Sequence, residues 1–346
     1  MEDREIFITV IITSYNRKKY LVNAIKSVLS CSLGKEHYEI ILVKNYNDDD
    51  IDNFCNSNNI KSLQMDGSIG HFYSKAIEFS KGNVVSFLDD DDVWIGDKLS
   101  RVYEAFKNNG NLGYYHNGYA YINDAGERIN YRRVVEPEKN LNKTSNFHLF
   151  GNNMKKNSLS EMFRIGADFN MSTISIRKKM LDDNAYSLLE EIYSFQDGAF
   201  FFISLASDYD ILVDDTILTL YRINNDSVTY FDEANKRINE LKKMKRSMLA
   251  VKGYMLKMIN PKYAYLIDAV DCFIYENSIM IEIFSLTSER KLIFTYLIHL
   301  IAIRSKNANT LKSKVVAMAI VSLFSKRLSV FLYDKYRKII RAGFAW

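Results

Sequence analysis

The chain has 346 residues, of which 47% are apolar and 25% charged, which is typical of a globular protein with one large domain and an appendage. The net charge of +4 hides an asymmetry: residues 1–231 carry 25 Lys and Arg against 33 Asp and Glu, and residues 232–346 carry 21 against 9. The two parts are therefore expected to face different partners. Three distant cysteines without a CxxC pair favour a reducing compartment and argue against a zinc site. The charged segment Met1–Glu5 predicts no signal peptide.

Strand and helix patterns alternate through the first part of the chain. The β-branched run Ile6–Thr13 predicts a central strand, and a helical period begins at Arg17. Further strands are predicted at Tyr38–Val43 and near Leu63–Met65, and a helix at His71–Ser80. This alternation predicts a mostly parallel, Rossmann-like sheet. Neither GxGxxG nor GxxxxGK[ST] occurs after the first strand, which argues against dinucleotide and P-loop chemistry.

Four consecutive aspartates, Asp89–Asp92, follow the short apolar strand predicted at Val84–Leu88. Their charges would repel one another unless a cation or a hydrogen-bond network neutralised them. A hard divalent ion such as Mg²⁺ or Mn²⁺ suits carboxylate ligands. The alternative is a solvated turn that caps the next helix through Asp92 or Asp97.

Three segments together resemble the opening of the family 2 glycosyltransferases, which are inverting enzymes of the GT-A fold: TVIITSYNRKKYLVNAIKSVL, YEIILV and KGNVVSFLDDDDVWIGDKL. The resemblance extends over roughly residues 6–230 and is strongest in the first hundred. It implies an α/β fold with a mostly parallel central sheet flanked by helices. The predicted domains are a GT-A domain at 1–231, with a nucleotide-sugar half at 1–110 and an acceptor half at 111–231, and a basic amphipathic helical extension at 232–346.

The resemblance also implies a donor site. The turn after the first strand resembles the segment that lies against the base and ribose of the nucleotide. Asp89 and Asp91 match the two ends of the DxD motif, in which the first aspartate touches the ribose and the last holds a Mn²⁺ or Mg²⁺ ion on the diphosphate. Such a metal stabilises the leaving group as its negative charge grows. The predicted donor-binding residues, apart from the metal ligand Asp91, are Thr13, Ser14, Tyr15, Asn45, Asp89, Asp90 and Arg222.

Two departures from the family pattern concern the donor. The second strand ends in Lys44 and Asn45 where family members commonly have aspartates, and Asn45 retains the ability to read uracil because an amide both donates and accepts. For Lys44, a solvated side chain is favoured over a phosphate contact. An arginine common in the preceding helix is replaced near Tyr73, with Lys75 close by. A UDP-sugar is the favoured donor, and GDP- and dTDP-sugars are the alternatives.

The acceptor half begins with a predicted strand at Leu112–Ile122 and a hairpin turn. His116 within it is interpreted as a packing or surface residue, because no partner histidine is placed for a metal. The polar segment Glu136–Ser160 is interpreted as a loop over the site or a surface insertion.

Phe169–Arg177 resembles the family's strand beside the acceptor, and Gln196 with Asp197 occupies the place of the family's Glu-Asp pair. Asp197 is the candidate base that deprotonates the acceptor hydroxyl. The alternative is that Asp197 only caps the following helix. The segment Ile211–Thr229 resembles the family's closing strand, with Tyr221 and Arg222 lining the site and Arg222 reaching the diphosphate. The remaining predicted acceptor-side residues are Ser172, Thr173 and Trp94.

The tail has helical spacing at Asn235–Lys257, Tyr263–Leu286, Lys291–Ile303 and Lys314–Arg341. None of these segments has 18 uncharged apolar residues, so a spanning helix is not predicted. A basic amphipathic tail favours peripheral contact with an anionic membrane through residues 290–346. Packing between helices or a homodimer contact is the alternative, and nucleic acid is not an expected partner.

The sequence therefore predicts an inverting, metal-dependent glycosyltransferase that acts at the inner face of the cell membrane, in the cytoplasm. Its acceptor would be a lipid-linked saccharide, a polysaccharide or a glycoprotein glycan. The alternative, motivated by Lys44, Asn45 and Gln196, is a catalytically silent GT-A domain that binds nucleotide-sugar or glycan as a scaffold. A nucleotidyltransferase is disfavoured because the first strand is not followed by a Gly-rich loop containing Arg.

Overall fold

The computed structural model describes residues 6–129, 147–223, 234–258, 261–285, 289–303 and 309–341. One sheet contains the strands β1 Ile8–Ser14, β2 Tyr38–Lys44, β3 Lys61–Gln64, β4 Val84–Asp89, β5 Val93–Trp94, β6 Leu112–Ile122, β7 Arg128–Ile129, β8 Phe147–Phe150, β9 Ile174–Arg177 and β10 Asp210–Arg222. The helices that precede residue 231 are α1 Leu21–Leu29, α2 Asp49–Ser57, α3 Ile69–Phe79, α4 Lys98–Asn108, α5 Lys155–Arg164, α6 Asp183–Glu190 and α7 Gln196–Ala206. Those of the tail are α8 Ala234–Lys257, α9 Ala264–Phe284, α10 Arg290–Ala302, α11 Asn309–Phe324 and α12 Lys326–Arg341.

The amino-terminal half of the sheet is parallel, in the order β3-β2-β1-β4. β1 is buried along its whole length, which explains its continuous β-branched sequence, since helices cover both faces of such a strand. In the register of this half, Ser14 of β1 lies beside Lys44 of β2, and Thr13 lies beside Asp89 of β4. The carboxyl ends of three strands therefore meet at one edge.

The other half of the sheet is mixed, so the prediction of a mostly parallel sheet holds for the nucleotide half alone. β9 runs antiparallel between β4 and β6, and β6 pairs with β10 in parallel. Only Ile174–Arg177 of the predicted strand Phe169–Arg177 is extended, because Met171–Thr173 forms a 3₁₀ turn. The predicted hairpin after β6 is present as the antiparallel pair of β6 and β7.

Two expectations on secondary structure were wrong. The predicted loop Glu136–Ser160 includes β8 and the start of α5, in the part that the structure describes, and its residues 136–146 lie outside that part. The predicted last helix is two helices, since α11 ends at Phe324 and α12 begins at Lys326.

The first tail helices belong to the main core. Met248 and Val251 of α8 and Leu266 of α9 are buried in the same apolar cluster as Phe200 of α7. Helices α10 and α11 contribute instead to a smaller cluster around Ile293 and Ala319. Packing is therefore continuous across residue 231, and the division of the chain there stays a prediction. None of the helices described is both long and apolar enough to cross a membrane.

Lys98, the first residue of α4, is fully buried under the sheet. Its ammonium group donates to Asn117 Oδ1 and, at 3.2 Å, to the carbonyl oxygen of Thr173, and it lies over the ring of Trp94. Burial, only partly opposed by the charge of Asp214, lowers the pKa of Lys98 to about 7. The cation therefore ties α4 to the 3₁₀ turn that supports the aspartates.

We predict that Lys98 makes folding stability depend on pH. A pKa lowered in the folded state means that the unfolded chain binds more protons between about pH 7 and 10, so the free energy of unfolding from this group rises with pH across that window. The slope is at most about 1.4 kcal/mol per pH unit. Urea unfolding at pH 7, 8 and 9 should show this slope in wild type and lose it in Lys98→Met. The exposed control Lys107→Met should keep it, and equal slopes in all three proteins would contradict the prediction.

Candidate active site

The site is built where β1, β2 and β4 end together. Ser14 at the end of β1 is buried, and its hydroxyl lies 3.0 Å from Asp90 Oδ2 and 2.7 Å from the hydroxyl of Tyr46. Asp90, Asp91 and Asp92 are at most 7% exposed. The alternative of a solvated turn at the aspartates is therefore wrong. Asp97 precedes α4 without a capping hydrogen bond from its side chain.

Arg17, in the loop after β1, neutralises the aspartates. Its Nε donates to Asp90 Oδ1 at 2.8 Å, and its Nη2 lies 2.6 Å from the same oxygen and 2.8 Å from Asp91 Oδ2. Burial alone would lower the pKa of Arg17, but attraction to Asp90 and Asp91 outweighs it, so the pKa is raised. The charge repulsion expected from the sequence is thus relieved by a cation of the chain itself.

Asp89 is partly exposed, unlike the three aspartates that follow it. Its Oδ1 lies 3.5 Å from the hydroxyl of Tyr73, which in turn lies 3.3 Å from Thr13 Oγ1. Desolvation, followed by repulsion from Asp91 and Asp90, raises the pKa of Asp89 to about 7, and desolvation raises that of Asp90 to about 6. These carboxylates therefore hold their protons more tightly than exposed aspartates do.

Arg222, the last residue of β10, makes hydrogen bonds to two of the aspartates. Its backbone N–H donates to Asp92 Oδ1 at 2.9 Å, and its Nε donates to the carbonyl oxygen of Asp91 at 2.8 Å. Nη1 donates to the carbonyl oxygens of Asn123 and Asp124. The guanidinium also lies over the ring of Tyr20, beside a cavity of about 660 Å³. These contacts give Arg222 a structural role at the aspartates, and its predicted contact with the diphosphate stays a prediction.

The 3₁₀ turn Met171–Thr173, before β9, makes hydrogen bonds to the segment that contains the aspartates. Ser172 Oγ accepts from the backbone N–H of Asp89 at 3.0 Å, and the Ser172 carbonyl oxygen accepts from Trp94 Nε1 at 2.8 Å. The Thr173 hydroxyl donates to the carbonyl oxygen of Asn170 at 2.6 Å. Ser172, Thr173 and Trp94 are at most 2% exposed, so in this conformation they support the site rather than line its surface.

Asp197 lies in the first turn of α7 and is partly exposed. Its Oδ2 accepts from the backbone N–H of Asn170 at 3.1 Å, and its Oδ1 from that of Gly198 at 2.9 Å. Desolvation raises the pKa of Asp197, whose charge also helps to raise the pKa of Asp89. The residue at the N-cap position is Phe195, so Asp197 does not cap the helix in the usual way. Gln196 is the first residue of α7 and is partly exposed.

The predicted base-recognition residues lie on the outer side of the β1 and β2 ends. Tyr15 is 49% exposed. Asn45 Oδ1 accepts from the backbone N–H of Asn16 at 2.8 Å, and Asn45 Nδ2 donates to Asn16 Oδ1 at 2.8 Å. The expectation of a solvated Lys44 was wrong: its side chain is buried, and its Nζ pairs with Asp52 Oδ2 at 3.0 Å. Asp52 on α2 draws the lysine inward, away from the strand ends.

Comparison with known proteins identifies the family. Residues 9–180 match the model of the family described as Glycosyl transferase family 2. The chain belongs to the family 2 glycosyltransferases. It is 33% identical over 116 residues to an uncharacterized glycosyltransferase of Nostoc sp., covering 32% of this chain and 35% of the relative. It is 30% identical over 104 residues to the putative teichuronic acid biosynthesis glycosyltransferase TuaG of Bacillus subtilis, covering 28% of this chain and 40% of the relative.

The chain thus spans less than half the length of these curated relatives. Among solved structures, residues 1–349 of TarS from S. aureus superpose on this glycosyltransferase with a TM-score of 0.59 at 16% identity, covering 99% of this chain and 93% of that one. The GT-A fold predicted from the sequence is confirmed, and the helical tail is present with it.

The carboxylates of the glycosyltransferase fit a hard cation. Among the described residues, no group of three or more His, Cys, Asp or Glu side chains could by itself hold a metal ion. Mg²⁺ sites, however, often take one or two carboxylates and complete their shell with substrate phosphates and waters. Asp91 Oδ2 already faces a cationic group, Arg17 Nη2, at 2.8 Å. The donor set is therefore suited to a metal bound together with a diphosphate.

Sequence reasoning missed four residues of this site: Arg17, Tyr46, Tyr73 and Asn170. Arg17 stands in the polar turn after β1, and a cation opposite four aspartates was the signal that could have identified it. The sequence marks Tyr73 only as a replacement for a family arginine, and its contacts with Asp89 and Thr13 appear only in the structure. Asn170 gives no signal, because it contacts Asp197 through its backbone N–H, which every residue except proline has.

We predict that Arg222 contributes strongly to stability. It is 3% exposed, and Arg222→Ala would leave the buried carbonyl group of Asp91, and the less buried ones of Asn123 and Asp124, without their donor, at a cost of about 2 kcal/mol or more in the free energy of unfolding. Arg164 is the matched control because it lies on the surface, 3.9 Å from Glu161, and Arg164→Ala should cost less than about 1 kcal/mol. Urea denaturation measures both. Similar losses of unfolding free energy in the two variants would contradict the structural role of Arg222.

Proposed function

We propose that this glycosyltransferase is inverting and transfers a sugar from a nucleotide diphosphate to an acceptor hydroxyl, with Asp197 as the base. The supporting observation is the electrostatic coupling of two elements: the charge of Asp197 on α7 contributes to the raised pKa of Asp89 at the end of β4. A carboxylate thus lies near the aspartates without belonging to their segment. An in-line displacement needs a carboxylate near the donor site to accept the proton of the acceptor hydroxyl, and Asp197 is the one that we propose.

In the proposed reaction, the acceptor oxygen attacks the anomeric carbon as the bond from that carbon to the diphosphate oxygen breaks. Asp197 takes the proton of the attacking hydroxyl, and its raised pKa makes it a better base than an exposed aspartate. The two backbone amides that hold its carboxylate orient it for this role. Asp91 would hold a Mn²⁺ or Mg²⁺ ion, which when bound stabilises the charge of the leaving diphosphate.

The proposed donor is a UDP-sugar. Asn45 can satisfy both the donor and the acceptor groups of uracil once it exchanges its hydrogen bonds with Asn16 for the base. TarS, which shares the fold, has been solved with UDP and with UDP-GlcNAc. The B. subtilis relative is named for teichuronic acid biosynthesis. A polysaccharide of the cell envelope is therefore the proposed class of acceptor.

A pair of aspartate variants tests the donor site and the base separately. Asp91→Asn should abolish Mn²⁺-dependent binding of UDP or GDP in calorimetric titration, because the ion loses its charged ligand. Asp197→Asn should bind the same nucleotide as wild type but lower the rate of sugar transfer or donor hydrolysis by about two to four orders of magnitude. Asp183→Asn, an exposed residue in the first turn of α6, is the control for both measurements.

Three outcomes would decide against parts of this proposal. If the wild-type protein binds no nucleotide, the assignment of the donor site is wrong. If Asp197→Asn binds the nucleotide and transfers the sugar as fast as wild type, Asp197 is not the base. Tight binding of nucleotide-sugar without transfer or hydrolysis by wild type, over a screen of glycan acceptors, would favour the silent scaffold instead.

We further propose that the last three helices dock on an anionic membrane surface. They expose large apolar side chains, among them Phe294 at 53%, Ile301 at 64%, Phe324 at 80% and Phe331 at 61%. Leu328, Phe331 and Leu332 of α12 are exposed and have the spacing of one helix face. Exposed basic residues accompany them, namely Arg290, Lys291, Arg327 and Lys335. Apolar anchors beside positive charge fit anionic lipid better than a neutral protein partner. A location at the inner face of the cell membrane remains part of this proposal.

Sedimentation with vesicles tests this docking surface. Wild type should bind vesicles of phosphatidylcholine with 30% phosphatidylglycerol at low salt, should bind pure phosphatidylcholine weakly, and should be released by 0.5 M salt because the charges are screened. The double variant Phe324→Ser and Phe331→Ser should bind at least about tenfold more weakly, since each ring loses burial in lipid. Phe79→Ser, an exposed phenylalanine far from the tail in sequence, should bind like wild type. A wild-type dimer that the double variant converts to monomer, without vesicle binding, would identify a homodimer contact instead.

A further inference from the structure

A single amino group of Arg17 bridges two aspartates of the candidate donor site. Nη2 contacts Asp90 at 2.6 Å and Asp91 at 2.8 Å, while Nε donates to Asp90 at 2.8 Å. The side chain of Arg17 is 28% exposed, against 4% for Asp90 and 10% for Asp91. The guanidinium therefore closes the aspartates off from the solvent side. Within the part of the chain that is described, its other amino group, Nη1, has no hydrogen-bond partner.

The backbone of Arg17 is fixed independently of its side chain. The Arg17 carbonyl oxygen lies 2.6 Å from Ser14 Oγ and 3.1 Å from the hydroxyl of Tyr46. The preceding residue, Asn16, has a φ of 55° and is held to Asn45 by two hydrogen bonds. Ser14 on β1 and Tyr46 after β2 thus anchor the backbone of Arg17, and they do so whether or not Asn45 exchanges its bonds with Asn16 for a base. The long side chain can change rotamer, within a few ångströms of Asp91, without movement of the loop.

Asp91 would hold a divalent ion with the same carboxylate that Arg17 contacts, so the two cations would compete for it. Two cations that share one carboxylate in a site of low water content repel each other strongly. A nucleotide diphosphate brings negative charge to the same place, and the planar fork of a guanidinium matches phosphate oxygens as well as it matches carboxylates. The arrangement would therefore allow two states: Arg17 on the aspartates without ligands, and Arg17 on phosphate if a metal were held by Asp91.

We propose that Arg17 is a positioning residue that neutralises Asp90 and Asp91 in the donor-free enzyme and moves to the diphosphate when a divalent metal replaces it at Asp91. The proposal rests on the proposed function, since it requires a nucleotide-diphosphate donor. It has a thermodynamic consequence: metal binding releases Arg17 for the nucleotide, and the nucleotide removes the competitor of the metal. Each ligand must then raise the affinity for the other by the same factor.

Calorimetric titration of Mn²⁺ and UDP, each alone and in the presence of the other, tests this coupling at pH 8. In wild type, UDP should tighten Mn²⁺ binding at least about tenfold. Arg17→Ala should bind Mn²⁺ alone about tenfold more tightly than wild type, because its competitor is gone, and should bind UDP in saturating Mn²⁺ about tenfold more weakly, because a charged phosphate contact is lost.

Two further variants keep the test decisive. Arg17→Lys retains the charge but not the fork, and it should lie between wild type and Arg17→Ala in both titrations. Lys18→Ala removes a neighbouring exposed charge that pairs with Asp48 on the other side of the loop, and it should behave like wild type. Thermal unfolding followed by circular dichroism verifies that each variant is folded, and Arg17→Lys carries the test if Arg17→Ala is not.

Arg17→Ala is expected to tighten Mn²⁺ binding and to weaken UDP binding, and these opposite changes distinguish the proposal from simpler roles of Arg17. If Arg17→Ala weakens both Mn²⁺ and UDP binding, Arg17 only maintains the shape of the site, and the proposal is overturned. If neither affinity changes while wild type binds UDP with Mn²⁺, the proposal is overturned and the proposed function stands. If wild type binds neither UDP nor GDP with Mn²⁺, the proposed function fails, and this proposal fails with it.

Discussion

The charge of four consecutive aspartates at the end of a buried strand is the constraint on which the rest of the site depends. β4 is buried from Val84 to Leu88, and its pairing with β1 fixes Asp89 beside Thr13. Concentrated carboxylates in a partly desolvated place are costly. The fold meets that cost in two ways: a cation, Arg17, lies against Asp90 and Asp91, and the raised pKa of Asp89, about 7, lets this carboxyl group be partly protonated near neutral pH.

The supports of this segment are mostly backbone contacts from distant parts of the chain. Arg222 holds the carbonyl of Asp91, and Ser172 holds the amide of Asp89. Asn170 and Phe195, which flank the hydrogen bond between Asp197 and the Asn170 amide, both have positive φ values, 71° and 70°. A left-handed backbone at residues other than glycine is strained, and such strain persists where surrounding structure imposes it, often at functional sites. Preorganisation of the candidate base is a consistent explanation for this strain.

Sequence reasoning succeeded where a local pattern decides the structure. The β-branched runs of β1 and β2 and the position of the aspartates after β4 follow from periodicity and from the apolar length of each strand. It failed where partners are far apart: Arg17 reaches Asp90 across 73 positions, and the inward turn of Lys44 depends on a carboxylate of α2. The antiparallel insertion of β9 could not be predicted either, because a four-residue strand carries no signal of its direction.

The tail illustrates why composition alone does not locate a structural boundary. Charge changes sign near residue 231, yet α8 contributes to the site: Ser247 Oγ accepts from the backbone N–H groups of Tyr193, at 3.0 Å, and Ser194, at 3.3 Å, in the loop that leads into α7. Since α7 carries Asp197 in its first turn, the first tail helix helps to fix the candidate base. Leu249 and Leu256 of α8 are exposed, but most exposed apolar residues of the tail lie further on, in α10 to α12, which pack with the end of α9 around the smaller cluster. The tail is therefore not one unit, since α8 and α9 complete the main core, whereas α10 to α12 pack around the smaller cluster and expose apolar side chains.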